Sequence, residues 1–125
     1  MKVLIIEDEL LIIEIFTSFL KMQNIKCELQ AGQDGASGLK KIEEEKFDII
    51  LLDHYLPQIT GADIAKKTRE NSQGPNQATP ILILSTDKET VENLPSQISN
   101  CQALMKPVKP KQFKEAIKSL CPDLE

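Results

Sequence analysis

Three carboxylates, one hydroxyl and one ammonium stand at the ends of apolar runs in this 125-residue chain. Glu7 and Asp8 follow Val3-Leu4-Ile5-Ile6, and Asp53 closes Phe47-Asp48-Ile49-Ile50-Leu51-Leu52. Ser85 follows Pro80-Ile81-Leu82-Ile83-Leu84, and Lys106 follows Ala103-Leu104-Met105. Brought together, the carboxylates raise one another's pKa and cannot all stay ionised without a cation. A set of oxygen donors, with one or two carboxylates and water, suits Mg²⁺ or Mn²⁺ better than zinc. A metal beside Asp53 would orient and neutralise a phosphoryl group, with Lys106 paired to its oxygens and Ser85 donating a hydrogen bond. Asp53 would then be the nucleophile that forms an aspartyl phosphate. Taken alone, Asp53 has a plainer reading, as the start of the turn His54-Tyr55-Leu56-Pro57.

Convergence of these residues depends on the elements between them. The runs at 3–6, 47–52 and 80–84 are continuously apolar, the pattern of strands covered on both faces. Residues 9–23 hold no Gly or Pro and place Ile12, Ile15, Phe16, Phe19 and Leu20 on a core-facing helical stripe. Leu10, Leu11 and Ile13 fall outside it, near the acids, as candidate partner contacts or scattered surface apolars. Ile25, Cys27, Leu29 and Ala31 alternate with polar residues, the period of an edge strand. Asp34 caps a helix through Ala36, Leu39 and Ile42, and another runs from Gly61 to Glu70 over Ile64 and Ala65. The polar stretch 71–78 reads as a mobile surface loop. A fourth helix begins near Asp87 with Val91 and Leu94 and is cut short by Pro95. Pro110 opens a last one, with Phe113, Ala116, Ile117 and Leu120 inward. Five strands alternating with five helices predict an α/β fold, a doubly wound parallel sheet. Such sheets collect their ligands at the carboxyl ends of the strands.

The set Ile6-Glu7-Asp8-Glu9, Asp53-x-x-Leu56-Pro57-x-x-x-Gly61, Ile83-Leu84-Ser85 and Lys106-Pro107 resembles the receiver domain of two-component response regulators, the CheY-like family. The resemblance spans essentially the whole chain, with residues 1–122 as the receiver domain and 123–125 as a tail. It implies a flavodoxin-like five-stranded sheet of order 2-1-3-4-5 and phosphorylation at Asp53. It also implies Mg²⁺ held by Glu7 or Asp8 with Asp53 and the main chain of Tyr55, and a cis Lys106-Pro107 bond. The phosphoryl donor would be a phosphohistidine on a sensor histidine kinase or a histidine phosphotransfer protein, docking near Leu10, Leu11 and Ile13. The resemblance further implies a signalling phosphoacceptor that catalyses its own phosphorylation and dephosphorylation and is not otherwise an enzyme.

Two positions depart from the family's pattern. Ala103 stands where a tyrosine or phenylalanine usually precedes the lysine by three residues, which favours a relay or stand-alone role over a conventional aromatic switch. Thr86 replaces the small residue that commonly follows the hydroxyl and is expected to slow exchange with small phosphodonors. Tyr55 and Asp87 occupy positions that flank the phosphate in this family. His54, the only histidine, reads as an exposed loop residue, since strand alternation turns it away from Asp53.

Two other classes compete. A phosphate-ester hydrolase with an aspartyl intermediate needs an acid two residues after the nucleophile, where this chain has Tyr55. A degenerate receiver would bind partners without phosphorylation, which the intact Glu7, Asp8, Asp53 and Lys106 argue against. Composition removes further classes: a formal charge of −4 and no basic run give no footprint for nucleic acid or an anionic membrane. Gly32, Gly35 and Gly38 lack the spacing of a nucleotide loop. Cys27, Cys101 and Cys121, without CxxC spacing, read as reduced thiols. The apolar runs are shorter than a membrane span, and Met1-Lys2 enters the first strand without a signal peptide, so a cytoplasmic protein is expected.

Overall fold

The structure, a computed structural model, describes residues 1–122; the expected tail at 123–125 lies outside the described residues. Along the chain run β1 (Lys2–Ile6), α1 (Leu10–Met22), β2 (Glu28–Gly32), α2 (Gly35–Glu44) and β3 (Ile49–Asp53). These are followed by α3 (Gly61–Glu70), β4 (Ile81–Ser85), α4 (Lys88–Asn93), a short 3₁₀ turn (Leu94–Ser96), β5 (Cys101–Met105) and α5 (Pro110–Leu120). The strands form one parallel sheet in the order β2-β1-β3-β4-β5, the flavodoxin-like arrangement expected.

The apolar strands divide their side chains between two cores. Leu4, Ile6, Ile50, Leu52, Ile81 and Ile83 face α2, α3 and the α4 region, packing on Ile42, Ile64 and Leu94. Val3, Ile5, Ile49, Leu51, Leu82 and Leu84 face α1 and α5, packing on Phe16, Leu20, Phe113 and Ile117. Every residue of β3 and β4 is buried, which explains why these strands are continuously apolar.

Three expectations change. On α1, Ile15 is exposed, whereas Ile13 packs against the core with Ile12 and Phe19. At 100° per residue, Ile13 lies nearer the direction of Phe16 and Leu20, the two buried anchors, than Ile15 does. The β2 ladder begins only at Glu28, after Ile25 and Cys27, and Ala31, like Ala36 on α2, is exposed. The third change concerns the polar stretch after α3, which is anchored at its far end. Asn76, 1% exposed, accepts from Phe47 N–H (2.8 Å) and donates to the carbonyls of Ile42 (2.7 Å) and Glu45 (2.6 Å). Arg69 donates to the carbonyls of Ser99 (2.7 Å), Gln77 (2.8 Å) and Thr79 (2.7 Å). Hydrophobicity gave no sign of this, because the anchor is one amide side chain satisfying buried main-chain groups.

Candidate functional site

The parallel register carries the carboxyl ends of β1, β3, β4 and β5 to one edge, and the predicted residues meet there. Lys106 Nζ lies 2.9 Å from Asp53 Oδ1 and 3.2 Å from Glu7 Oε2, joining residues 53 and 99 positions away in sequence. Carboxylate oxygens of Glu7, Asp8 and Asp53 all lie within 4.8 Å of one another. Glu7 and Asp53 are buried and Asp8 is exposed, so the cluster opens to solvent on one side. A cavity of about 310 Å³ beside it is lined by Asp8, Glu9, Asp53, Tyr55, Thr86 and Lys106.

Local contacts hold these groups in place. His54 N–H donates to Leu84 O (2.9 Å), tying the end of β3 to β4. Gly61 N–H donates to His54 O (2.8 Å), and a Cβ on Gly61 would lie 2.6 Å from Asp53 O. The glycine of the motif is thus required by close approach to the backbone carrying the acid. Lys106 N–H donates to Ser85 O (2.8 Å), and the Lys106–Pro107 bond is cis, as the resemblance implied. Glu9 N–H donates to Glu7 Oε1 (3.2 Å). Ser85 is fully buried, and its Oγ accepts from Asp87 N–H (2.9 Å) at the N-cap of α4.

Burial raises the Glu7 pKa, and the neighbouring Asp53 charge adds to it, while Lys106 and the Glu9 N–H oppose the rise. For Lys106, burial works against the charge, but the hydrogen bond and charge of Asp53, with the charge of Glu7, outweigh it and hold the pKa above the ordinary lysine value. The clustered oxygens of Glu7, Asp8 and Asp53 form a donor set that fits a hard divalent cation.

Of the sequence candidates, the structure brings together Glu7, Asp8, Asp53 and Lys106, with Tyr55 and Thr86 lining the same cavity. Ser85 sits at the same edge, beneath the β4–α4 turn. His54 departs from expectation: it is half-buried, its ring meets Tyr55 edge-on (centroids 4.8 Å apart), and its Nδ1 is shielded without a partner. Ile13 is half-buried against the core, and the exposed apolar residues in the first half of α1 are Leu10, Leu11 and Ile15. Glu9 and Ile12 also line the cavity and were not assigned to it from sequence. The third acid in the Glu7-Asp8-Glu9 run was the available signal for Glu9.

A doubly wound parallel domain with an acid pocket and a bridging lysine at its carboxyl edge defines the phosphoacceptor class of signalling modules. The chain belongs to the response regulator receiver domain family, whose model matches residues 3–118. It is 33% identical over 93 residues to the response regulator ArlR of Staphylococcus saprophyticus, covering 74% of this chain and 39% of that protein. The chain thus spans well under half the length of this relative. The chemotaxis response regulator CheY4 of Vibrio cholerae is 27% identical, with a TM-score of 0.80 over 95% of this chain and 97% of that one. The receiver domain of sensor histidine kinase PA1611 from Pseudomonas aeruginosa, 20% identical, shares the fold (TM-score 0.80, 97% of each chain) and is described with a magnesium ion in its active-site cleft.

Proposed function

We propose that this domain takes a phosphoryl group from a phosphohistidine onto Asp53, with Mg²⁺, and thereby changes its binding to partner proteins. The observation that carries this reading is Lys106 Nζ bridging Asp53 and Glu7 inside a cluster of three carboxylates. Glu7, Asp8 and Asp53, with the main chain of Tyr55, would hold the metal, and Mn²⁺ would substitute. When bound, the cation neutralises charge on the phosphoryl oxygens.

The chain's own residues perform the rest. An Asp53 carboxylate oxygen attacks phosphorus as the phosphorus–nitrogen bond of the donor breaks, and the imidazole leaves with the electron pair. Lys106, held charged by its two acids, pairs with the transferred oxygens. Ser85 then turns its hydroxyl toward the new phosphoryl group, which disturbs its acceptor role at the α4 N-cap. With Ala103 in place of an aromatic, this contact is the route from site to surface. The absent ring favours a relay or stand-alone regulator, with residues 1–122 as the functional unit. The exposed Leu10 and Leu11 on α1 supply the apolar contact for the donor's helices, joined by Ile15 rather than by Ile13.

Intact-mass measurement after incubation with Mg²⁺ and acetyl phosphate, and with a phosphorylated histidine protein, tests the reading. A single phosphoryl adduct is expected, absent from Asp53→Asn and from metal-free samples. No adduct from either donor would leave a phosphorylation-independent binding module as the better account. Because Thr86 lines the cavity, Thr86→Ala is expected to take up phosphate from acetyl phosphate and lose it several-fold faster; unchanged rates would remove steric control by that residue.

A further inference from the structure

Glu9 is the N-cap residue of α1, yet its side chain makes no capping hydrogen bond. Ser, Thr, Asp and Asn serve that position because their short side chains reach the free N–H groups of the first turn. Glu9 contributes to the helix start through its backbone instead: its carbonyl accepts from Ile12 N–H (3.1 Å) and Ile13 N–H (3.2 Å), and its N–H donates to Glu7. The exposed Glu9 side chain lines the cavity beside Asp53, near Asp8, Thr86 and Lys106. Among the described residues it takes part in no ion pair.

We propose that the Glu9 carboxylate is a charge filter that sets which phosphodonors reach Asp53. The inference rests on the phosphoacceptor reading of the site. A donor entering this cavity brings a negatively charged phosphoryl group past Glu9. The repulsion scales with the donor's charge and acts within a Debye length. A small dianionic donor has only Lys106 and the cation to offset that repulsion. A protein donor brings an interface, so the filter discriminates against free phosphorylated metabolites in favour of a docked phosphohistidine. Glu9 touches no reacting atom; it selects which donor approaches.

The test compares Glu9→Gln, Glu9→Asp and the unaltered protein at fixed Mg²⁺, by the rate of Asp53 phosphorylation from acetyl phosphate, a dianion, and phosphoramidate, a monoanion at neutral pH. At low ionic strength Glu9→Gln is expected to react about three- to tenfold faster with acetyl phosphate and only about two- to threefold faster with phosphoramidate. Glu9→Asp, which keeps the charge, is expected to stay slow, and added salt is expected to narrow the difference. Unfolding midpoints should shift little, since no side-chain cap is lost. Equal gains with both donors, or no gain at low salt in a variant that still becomes phosphorylated, would overturn the filter and leave the phosphoacceptor reading standing. Absence of any adduct in all three proteins would overturn both.

Discussion

At the residue scale, Lys106 shows how context decides a side chain's state. Burial alone would favour the neutral amine, and the charge persists because two carboxylates lie within 3.2 Å. Cys101 is the opposite case. Burial in β5 pushes its thiol from 9.0 to about 11, and the nearby Arg69 lowers it only in part. The stabilisation from keeping this thiol neutral is fully present below pH 9 and is lost as pH rises toward 11, because the unfolded chain releases the proton first. The interval is worth at most about 2.7 kcal/mol. Urea midpoints of the unaltered protein are therefore expected to fall more steeply between pH 9 and 11 than those of Cys101→Ala. Parallel curves would show that the thiol does not drive the loss. The same environment makes Cys101 a slow thiol toward alkylating reagents at neutral pH.

At the element scale, the turn after β3 and the connection after α3 carry specific requirements. A methyl group at position 61 would meet Asp53 O at 2.6 Å and His54 Cα at 2.9 Å, both backbone atoms. Gly61→Ala is expected to cost about 1–3 kcal/mol and to impair phosphorylation, since relief must move the strand end that bears Asp53. Denaturant unfolding and intact-mass labelling of the same sample check both effects. Asn76→Ala removes the partner of three main-chain groups, two of them buried, at about 1–3 kcal/mol for a group left unsatisfied. Its urea midpoint is expected to drop sharply while labelling at Asp53, at the opposite end of the sheet, is retained at low denaturant.

Element types were legible in the sequence because β1, β3 and β4 are apolar on both faces and α5 keeps a clean inward stripe. Ile13 and Ile15 were confused because both flank the stripe, and the choice depends on where Phe16 and Leu20 point, a tertiary matter. Strand ends identified Glu7, Asp8, Asp53, Ser85 and Lys106 as a set, since topology alone carries parallel strand ends to one edge. Glu9 was signalled only as the third acid of its run; that its side chain lines the cavity depends on its not being taken up in capping, which spacing does not report.

At the scale of the whole molecule, the sheet holds an acidic cluster at one edge that only tertiary structure assembles. A cation bound there stabilises the folded chain by mass action, about 2.7 kcal/mol at a hundred times its dissociation constant. Thermal unfolding is therefore expected to move upward with added Mg²⁺ and return on chelation. Asp8→Asn should lose most of that response, because Asp8 is the exposed member of the cluster and leaves the buried pair intact. An undiminished Mg²⁺ response in Asp8→Asn would place the cation elsewhere. Among the described residues, no helix is long and apolar enough to cross a membrane.

The anchored connection between α3 and β4 has a practical consequence. Asn71, Ser72 and Gln73 at its start are exposed, while Arg69 before them and Asn76 and Thr79 after them are tied to the body of the domain. A fluorescent reporter or affinity tag inserted between Ser72 and Gln73 would thus have both of its junctions fastened to the scaffold. It would report on the domain from the end remote from Asp53, leaving the faces of α1 and α4 free for partners.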